Sequence, residues 1–338
     1  MDLLHTLKGE ELVKISNDFD YLSATQDFVG LKLMPMVKTE NMKVAMYELL
    51  QGNEIRVSAL VHALDSEARI GDRPEYEEFK VSLFLIKEKI DQGEELRKRI
   101  KDNGMSTEER AIVTALYNDI ANEISKVLVG FERRACELLS TGKIVIDENG
   151  AKKEVTMGFN ADTNKIDFAG WADPDHDIIA DLLALQEASN YTIVRQILSK
   201  KVLGYILNNN KMKAIATADT QQGYLTKDYA LKYIARVTEI EMITDDRTYK
   251  LAYNDNKKYR FFKEDVIISL TTKGEIGKTF MTSTPTEDAN KTNQKYGFVA
   301  VHQWVTDDPY TSWTKAEGVG VPVIADINNT LFLSTISA

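Results

Sequence analysis

TEERAIVTALYNDIANEISKVLVGFERRACELLSTG, residues 107–142, carries the strongest regular signal in the chain. Ile112, Leu116, Ile120, Ile124, Leu128, Phe131, Ala135 and Leu138 recur every three or four positions, which places them on one helical face. Ser106 or Thr107 with Glu109 or Glu108 behind it supplies a start, and Gly142 supplies a stop. At 1.5 Å per residue, a helix over 107–141 is about 50 Å long, where a globular helix averages about a dozen residues. The apolar repeat is not a sustained a/d heptad with e/g charge pairing, which weighs against a coiled coil.

Upstream, residues 1–34 are weakly periodic. NEIRVSALVHAL (53–64) and EEFKVSLFLIKEKI (77–90) both favour strands, and the segment between them, DSEARIGDRPEY (65–76), is polar with Gly71 and Pro74. They predict an extended hairpin with a charged tip, which as a two-stranded ribbon must lean on something else. Downstream, KIVIDENGAKKEVTMGF (143–159) predicts a hairpin turning at Asn149-Gly150. An α/β stretch follows, with a helix from Asp173 to about Ser189 and a strand at 192–198. Helices begun by Ser199 and Thr226 come next, then strands at 240–246, 249–255, 258–262 and 266–270. From about Asn290 the chain returns to strands and turns.

The 338 residues can bury one large or two modest cores, and 43% apolar with 28% charged residues is ordinary for a soluble globular protein. One cysteine, Cys136, excludes an intrachain disulfide and a cysteine zinc cluster, and its place in the helical stripe predicts burial. The N-terminus does not read as a signal peptide, and no apolar run approaches the ~20 residues that span a bilayer. A net charge of −10 argues against gripping nucleic acid through its phosphates.

Two stretches invite a catalytic reading. VIISLTTKGEIGKTF (266–280) passes from a strand through a glycine turn into Gly277-Lys278-Thr279. A phosphate-binding loop, G-x-x-x-x-G-K-[ST], needs its first glycine at position 272, which is a threonine; Gly274 comes two residues late. It also needs a helix directly after Thr279, and FMTSTPTED lacks helical periodicity. VPVIAD (321–326) mimics an aliphatic metal-binding strand, but Pro322 fits only an edge or a strand end. In WADPDHDIIADLL (171–183), Asp173, Asp175, His176 and Asp177 could be metal ligands. A helix start explains them without a metal, with Asp173 as N-cap and Pro174 at the first helical position. His5, His62 and His302 form no ligand pair, and no G-x-S-x-G elbow is present. No catalytic, cofactor-binding or metal-binding residue is therefore assigned, and no cofactor is expected.

Five blocks in order resemble the lambda-type phage major head protein family (major capsid protein E), which has the Hong Kong 97-type fold. FERRACELLSTGKIVI (131–146) resembles the end of its long helix, and GWADPDHDIIADL (170–182) the Trp-x-Asp-Pro start of its axial domain. ILSKKVLGYILNN (197–209) resembles the strand-to-helix passage inside that domain. RFFKEDVIISLTTKGEIGKTFMTSTPTED (260–288) is similar to its exit, and DDPYTSWTKAEGVGVPVIADINNTLFLSTISA (307–338) to its C-terminus. The resemblance implies an α+β fold with an N-terminal arm (1–34), an extended loop (35–100), and a peripheral domain (101–165) with its spine helix at 107–141. An axial domain (166–289) and a return to the peripheral domain (290–338) complete it.

The implied role is that of a non-enzymatic major capsid protein of a tailed bacteriophage. Its copies would join as homo-hexamers and homo-pentamers into an icosahedral shell, assembled in the host cytoplasm and found in the virion. Implied partners are a separate scaffolding protein (no long scaffold segment precedes the arm), a portal and, optionally, a decoration protein. The shell would enclose double-stranded DNA without sequence-specific binding and without a membrane. The alternatives are a nucleotide-binding enzyme using the Gly274–Thr279 loop, or a non-viral shell protein of the same fold.

Overall fold

A computed structural model describes residues 9–40, 83–92, 108–190, 192–220, 225–252, 256–289, 296–307 and 310–337. Three short helices open it: α1 (Gly9–Asp18), α2 (Tyr21–Ala24) and α3 (Gly30–Leu33), then strand β1 (Met36–Lys38). Strand β2 (Phe84–Gln92) precedes the long helix α4, which runs from Glu108 to Thr141. The helix stops where the sequence says: Gly142 takes φ +73° and its N–H donates to the Leu138 carbonyl. Strands β3 (Lys143–Glu148) and β4 (Ala151–Thr156) form the expected hairpin, with Asn149 and Gly150 both at positive φ.

Then come α5 (Ala161–Asn164), β5 (Phe168–Ala169), α6 (Ile178–Ala188), β6 (Arg195–Leu198), α7 (Lys200–Asn208), α8 (Asn210–Thr220) and α9 (Lys227–Thr238). Strands β7 (Glu241–Thr244), β8 (Thr248–Tyr249), β9 (Tyr259–Arg260), β10 (Val266–Leu270) and β11 (Gly277–Thr282) follow. The chain ends through α10 (Pro285–Ala289), β12 (Ala300–Asp307), β13 (Tyr310–Ile324), α11 (Ile327–Thr330) and β14 (Leu331–Ser337).

Two five-stranded sheets organise these elements. In the first, the order is β1-β11-β13-β12, and β2 also pairs with β13. In the second, the order is β5-β14-β10-β6-β7. Helix α4 lies against the first sheet: Phe131 stacks on Phe84 of β2 at 5.7 Å, and Ile120, Ile124, Val127 and Leu128 are buried beside it. Each such side chain, fully buried, contributes about 1.5–3 kcal/mol. The second sheet is covered on both faces, with side chains of β6, β10 and β14 entering both hydrophobic cores. Ile268 and Leu270 of β10 join the core around α4, whereas Ile267 turns to a second core with Trp171, Leu182, Val202 and Ile234.

Several expectations change. The helix expected from Asp173 begins at Ile178, because Asp177 and not Asp173 accepts the capping N–H, from Ala180 at 3.1 Å. Asp173-Pro174-Asp175-His176 instead forms a turn, closed by the His176 N–H to the Asp173 carbonyl. Of the strands expected at 249–255 and 258–262, the described residues form only the two-residue β8 and β9, and 253–255 lie outside the described residues. Pro322 pairs with Thr279 of β11 on one side; on the other, Gly320 is the last partner of β2 among the described residues. Residues 84–90 are extended as read and pair with β13; the hairpin's other arm (53–64) and its tip (65–76) lie outside the described residues.

Candidate functional site at the Glu132–Arg247 junction

The Gly277-Lys278-Thr279 stretch does not form a phosphate cradle. It opens β11 of the first sheet, whereas the preceding strand, β10, belongs to the second. Gly277 answers a packing need: a Cβ there would stand 2.0 Å from the Val323 carbonyl oxygen of β13. Lys278 pairs with Glu275. Thr279, whose hydroxyl would ligate magnesium in a phosphate loop, is buried, donating that hydroxyl to the Met34 carbonyl and its N–H to Pro35, each at 2.8 Å. The chain continues as strand to Thr282, and the next helix, five-residue α10, starts at Pro285.

The acidic run is likewise occupied by protein partners. Asp181 accepts from the Trp171 indole at 2.7 Å and lies 2.8 Å from His176 Nε2. Asp175 accepts from the Asn210 amide, and Asp177 pairs with Lys211 at 2.9 Å. Hydrogen bonding from Lys211 holds the Asp177 carboxyl below the usual carboxylate range. These contacts fasten the turn before α6 to the α7–α8 corner. Among the described residues, no group of three or more His, Cys, Asp and Glu side chains is placed to hold a metal ion. None of the described helices is long and apolar enough to cross a membrane.

The strongest polar constellation lies elsewhere. Glu132, on the buried side of α4, is fully buried. A carboxylate there must be saturated with donors, and three come from the backbone of the arm. Oε1 accepts the N–H groups of Val29 (2.8 Å) and Gly30 (3.1 Å), and Oε2 accepts that of Leu31 (2.8 Å). Val29, the N-cap of α3, offers no side-chain cap, so a carboxylate from another helix satisfies its first turn. The approach requires Gly30, where a Cβ would lie 2.7 Å from Ala135 Cβ and 3.0 Å from Glu132 Oε2. One turn on, the Cys136 thiol donates to Glu132 Oε1 at 3.3 Å. Burial, then the neighbouring carboxylate, pushes that thiol well above its ordinary range, and the cysteine is buried as expected.

Arg247 supplies the countercharge. Its Nη2 lies 2.9 Å from Glu132 Oε1 and 2.7 Å from Asp245 Oδ2, and its Nη1 donates to the Asp27 carbonyl. The guanidinium also faces the Phe261 ring at 5.1 Å. Burial alone would lower the Arg247 pKa; the hydrogen bonds to Asp245 and Glu132 outweigh it, and the value is raised. The preceding residues bind the second sheet: the Asp245 N–H donates to Leu198, and Asp246 accepts from the first N–H of α7, that of Lys200, at 2.8 Å. Beside Glu132, Arg133 lies over the Tyr249 ring at 5.2 Å and pairs with Glu148. Arg134 bonds Glu137 and Glu148 at 2.7 and 3.0 Å. Three consecutive residues of α4 thus reach the arm, the β8–β9 hairpin and the β3–β4 turn.

Sequence reasoning missed Glu132, Asp245 and Arg247. A signal for the first was present: Glu132 falls four residues after Leu128 and three before Ala135, inside the apolar stripe, where a charge demands an internal partner. Nothing local marks Arg247 as that partner.

No family model matches the sequence, and no curated protein matches it. Among solved structures, a protein assigned as the capsid protein of a prophage (E. coli CFT073) is similar with a TM-score of 0.65 at 14% identity, over 98% of this chain and 100% of that chain. A phage-related protein from Bordetella bronchiseptica RB50 gives 0.47 at 12% identity, over 96% of each chain. The satellite phage P4 procapsid gives 0.47 at 8%, over 94% of this chain and 98% of that chain. The first likeness, at 14% identity, is one of fold. With its long helix, two sheets and end-to-end match, the chain has the α+β Hong Kong 97-type fold.

Proposed function

We propose that this chain is the major capsid protein of a tailed bacteriophage, a structural subunit that assembles with copies of itself into the shell around the genome. The observation that carries this reading is the end-to-end likeness to the prophage protein, with no part of that chain left uncovered. The glycine-lysine-threonine stretch supports it by being spent on packing, and the net charge of −10 suits a wall that bounds DNA without gripping it. In this reading residues 1–34 form the arm, 35–100 the extended loop, and 101–165 with 290–338 the peripheral domain. Residues 166–289 form the axial domain that meets its copies around the axis of a hexamer or pentamer. A separate scaffolding protein and a portal complete the assembly, with a decoration protein as an optional addition.

Electron microscopy of the purified protein, co-expressed with the scaffolding protein, tests the proposal. Closed icosahedral shells are the expected result; a concentrated protein that stays monomeric would sink it. Shells formed in the host that hold protein cargo and no DNA would point instead to a non-viral compartment.

A further inference from the structure

We infer that Glu132 makes two seatings one linked event: that of the arm segment Asp27–Leu31 and that of the β8–β9 hairpin. One carboxylate serves both. Its Oε1 is shared by the Val29 and Gly30 amides and by Arg247 Nη2, while Arg247 Nη1 reaches back to the Asp27 carbonyl. If the arm leaves, Glu132 loses three amide donors and Arg247 loses an acceptor. If the hairpin leaves, taking Arg247 with it, Glu132 stays buried with three N–H groups and a thiol but no countercharge. A buried carboxylate tolerates neither state well, so each departure weakens what holds the other segment. Asp245 and Phe261 hold Arg247 in place, and Tyr249 on Arg133 anchors the same hairpin one residue along α4. Linkage makes the effect reciprocal: whatever factor one seating contributes to the other is returned in full. Resting on the shell reading above, one further step follows: a neighbouring subunit that grips the arm also loads or releases the hairpin of the second sheet.

Hydrogen exchange on the full-length monomeric chain tests the linkage without requiring a shell, so its failure and the failure of the capsid reading are separable. Gly30→Ala places a methyl group against Ala135 and displaces the arm at a point that does not touch the hairpin. We expect exchange at least tenfold faster both in 27–33 and in 247–249 and 259–261, with β10 unchanged. Arg247→Met should reverse the direction of cause and accelerate exchange at Val29, Gly30 and Leu31. Val202→Ala, in the second core, serves as a control that lowers stability without selecting these two segments. Faster exchange confined to the arm in Gly30→Ala would overturn the inference. Uniform acceleration that includes Ile268 would overturn it equally, since the arm would then hold the whole fold and not the hairpin.

Discussion

Glu132 and Arg247 stand 115 residues apart in sequence and 2.9 Å apart in space, and the glutamate is wholly buried. Removing one partner of a buried pair leaves the other and its donors unmet, so Glu132→Ala should lower the unfolding free energy by about 3–5 kcal/mol. Glu148→Ala removes a carboxylate that is 40% exposed, and for such a pair the expected loss is about 0–1 kcal/mol. Urea unfolding of the two variants reads the contrast directly, and equal losses would show that Glu132 does not hold the junction.

Lys278 is partly exposed, and among the described residues its side chain bonds only Glu275, three residues before it. Lys278→Ala should therefore change stability by no more than about 1 kcal/mol and leave ATP binding, read by calorimetry, undetectable before and after. ATP binding by the parent that disappears in the variant would restore the phosphate-loop reading. Gly277→Ala is the severe change in this stretch: with Val323 backbone in the way, about 3 kcal/mol or more should be lost.

Asp177 caps α6, and Asp173 does not. Asp177→Ala is expected to cost about 1 kcal/mol, the usual worth of an N-cap, and Asp173→Ala clearly less. Thermal denaturation of the pair decides where the helix begins energetically.

Acid should weaken the first sheet through Glu317. Burial alone would raise its pKa, but Lys315 at 2.7 Å and the Thr286 N–H at 2.7 Å favour the charged form, and the folded value is lowered. A carboxyl depressed on folding contributes stability that is complete above its unfolded pKa, about 4.3, and is lost as the pH falls through the folded value. Glu317→Gln should thus be less stable than the parent at pH 7 and lose less on acidification. Parallel urea midpoints for the two proteins from pH 7 down to about 3 would refute the assignment.

What could be read in the sequence was local. Ser199 and Thr226 cap the helices they were expected to start, donors Val202 and Tyr229 lying three residues on, and Asn149-Gly150 turns its hairpin. Periodicity does not announce helix α8, because NKMKAIATADT has few large apolar residues to show one. Its start was nonetheless legible in Asn209, whose side chain accepts from the Met212 N–H at 3.0 Å. The turn at Asp173 cannot be told from a helix start in one dimension, because an acid before proline and an acid before Ile178 make equally good caps. Long-range pairings have no local signature at all. Met36 lies beside Thr279, and Arg247 beside Glu132, only once the chain has folded.

Strands β13 and β14, residues 310–337, come last in chain order, yet each lies in the interior of its sheet. During synthesis neither sheet can close until these strands emerge. At roughly 5–20 residues per second, the nascent chain waits about 10–40 s between completing α4 and completing β14. Ribosome-arrested chains ending before Tyr310 should accordingly stay protease-sensitive. Translation itself then sets the earliest moment at which either sheet can close.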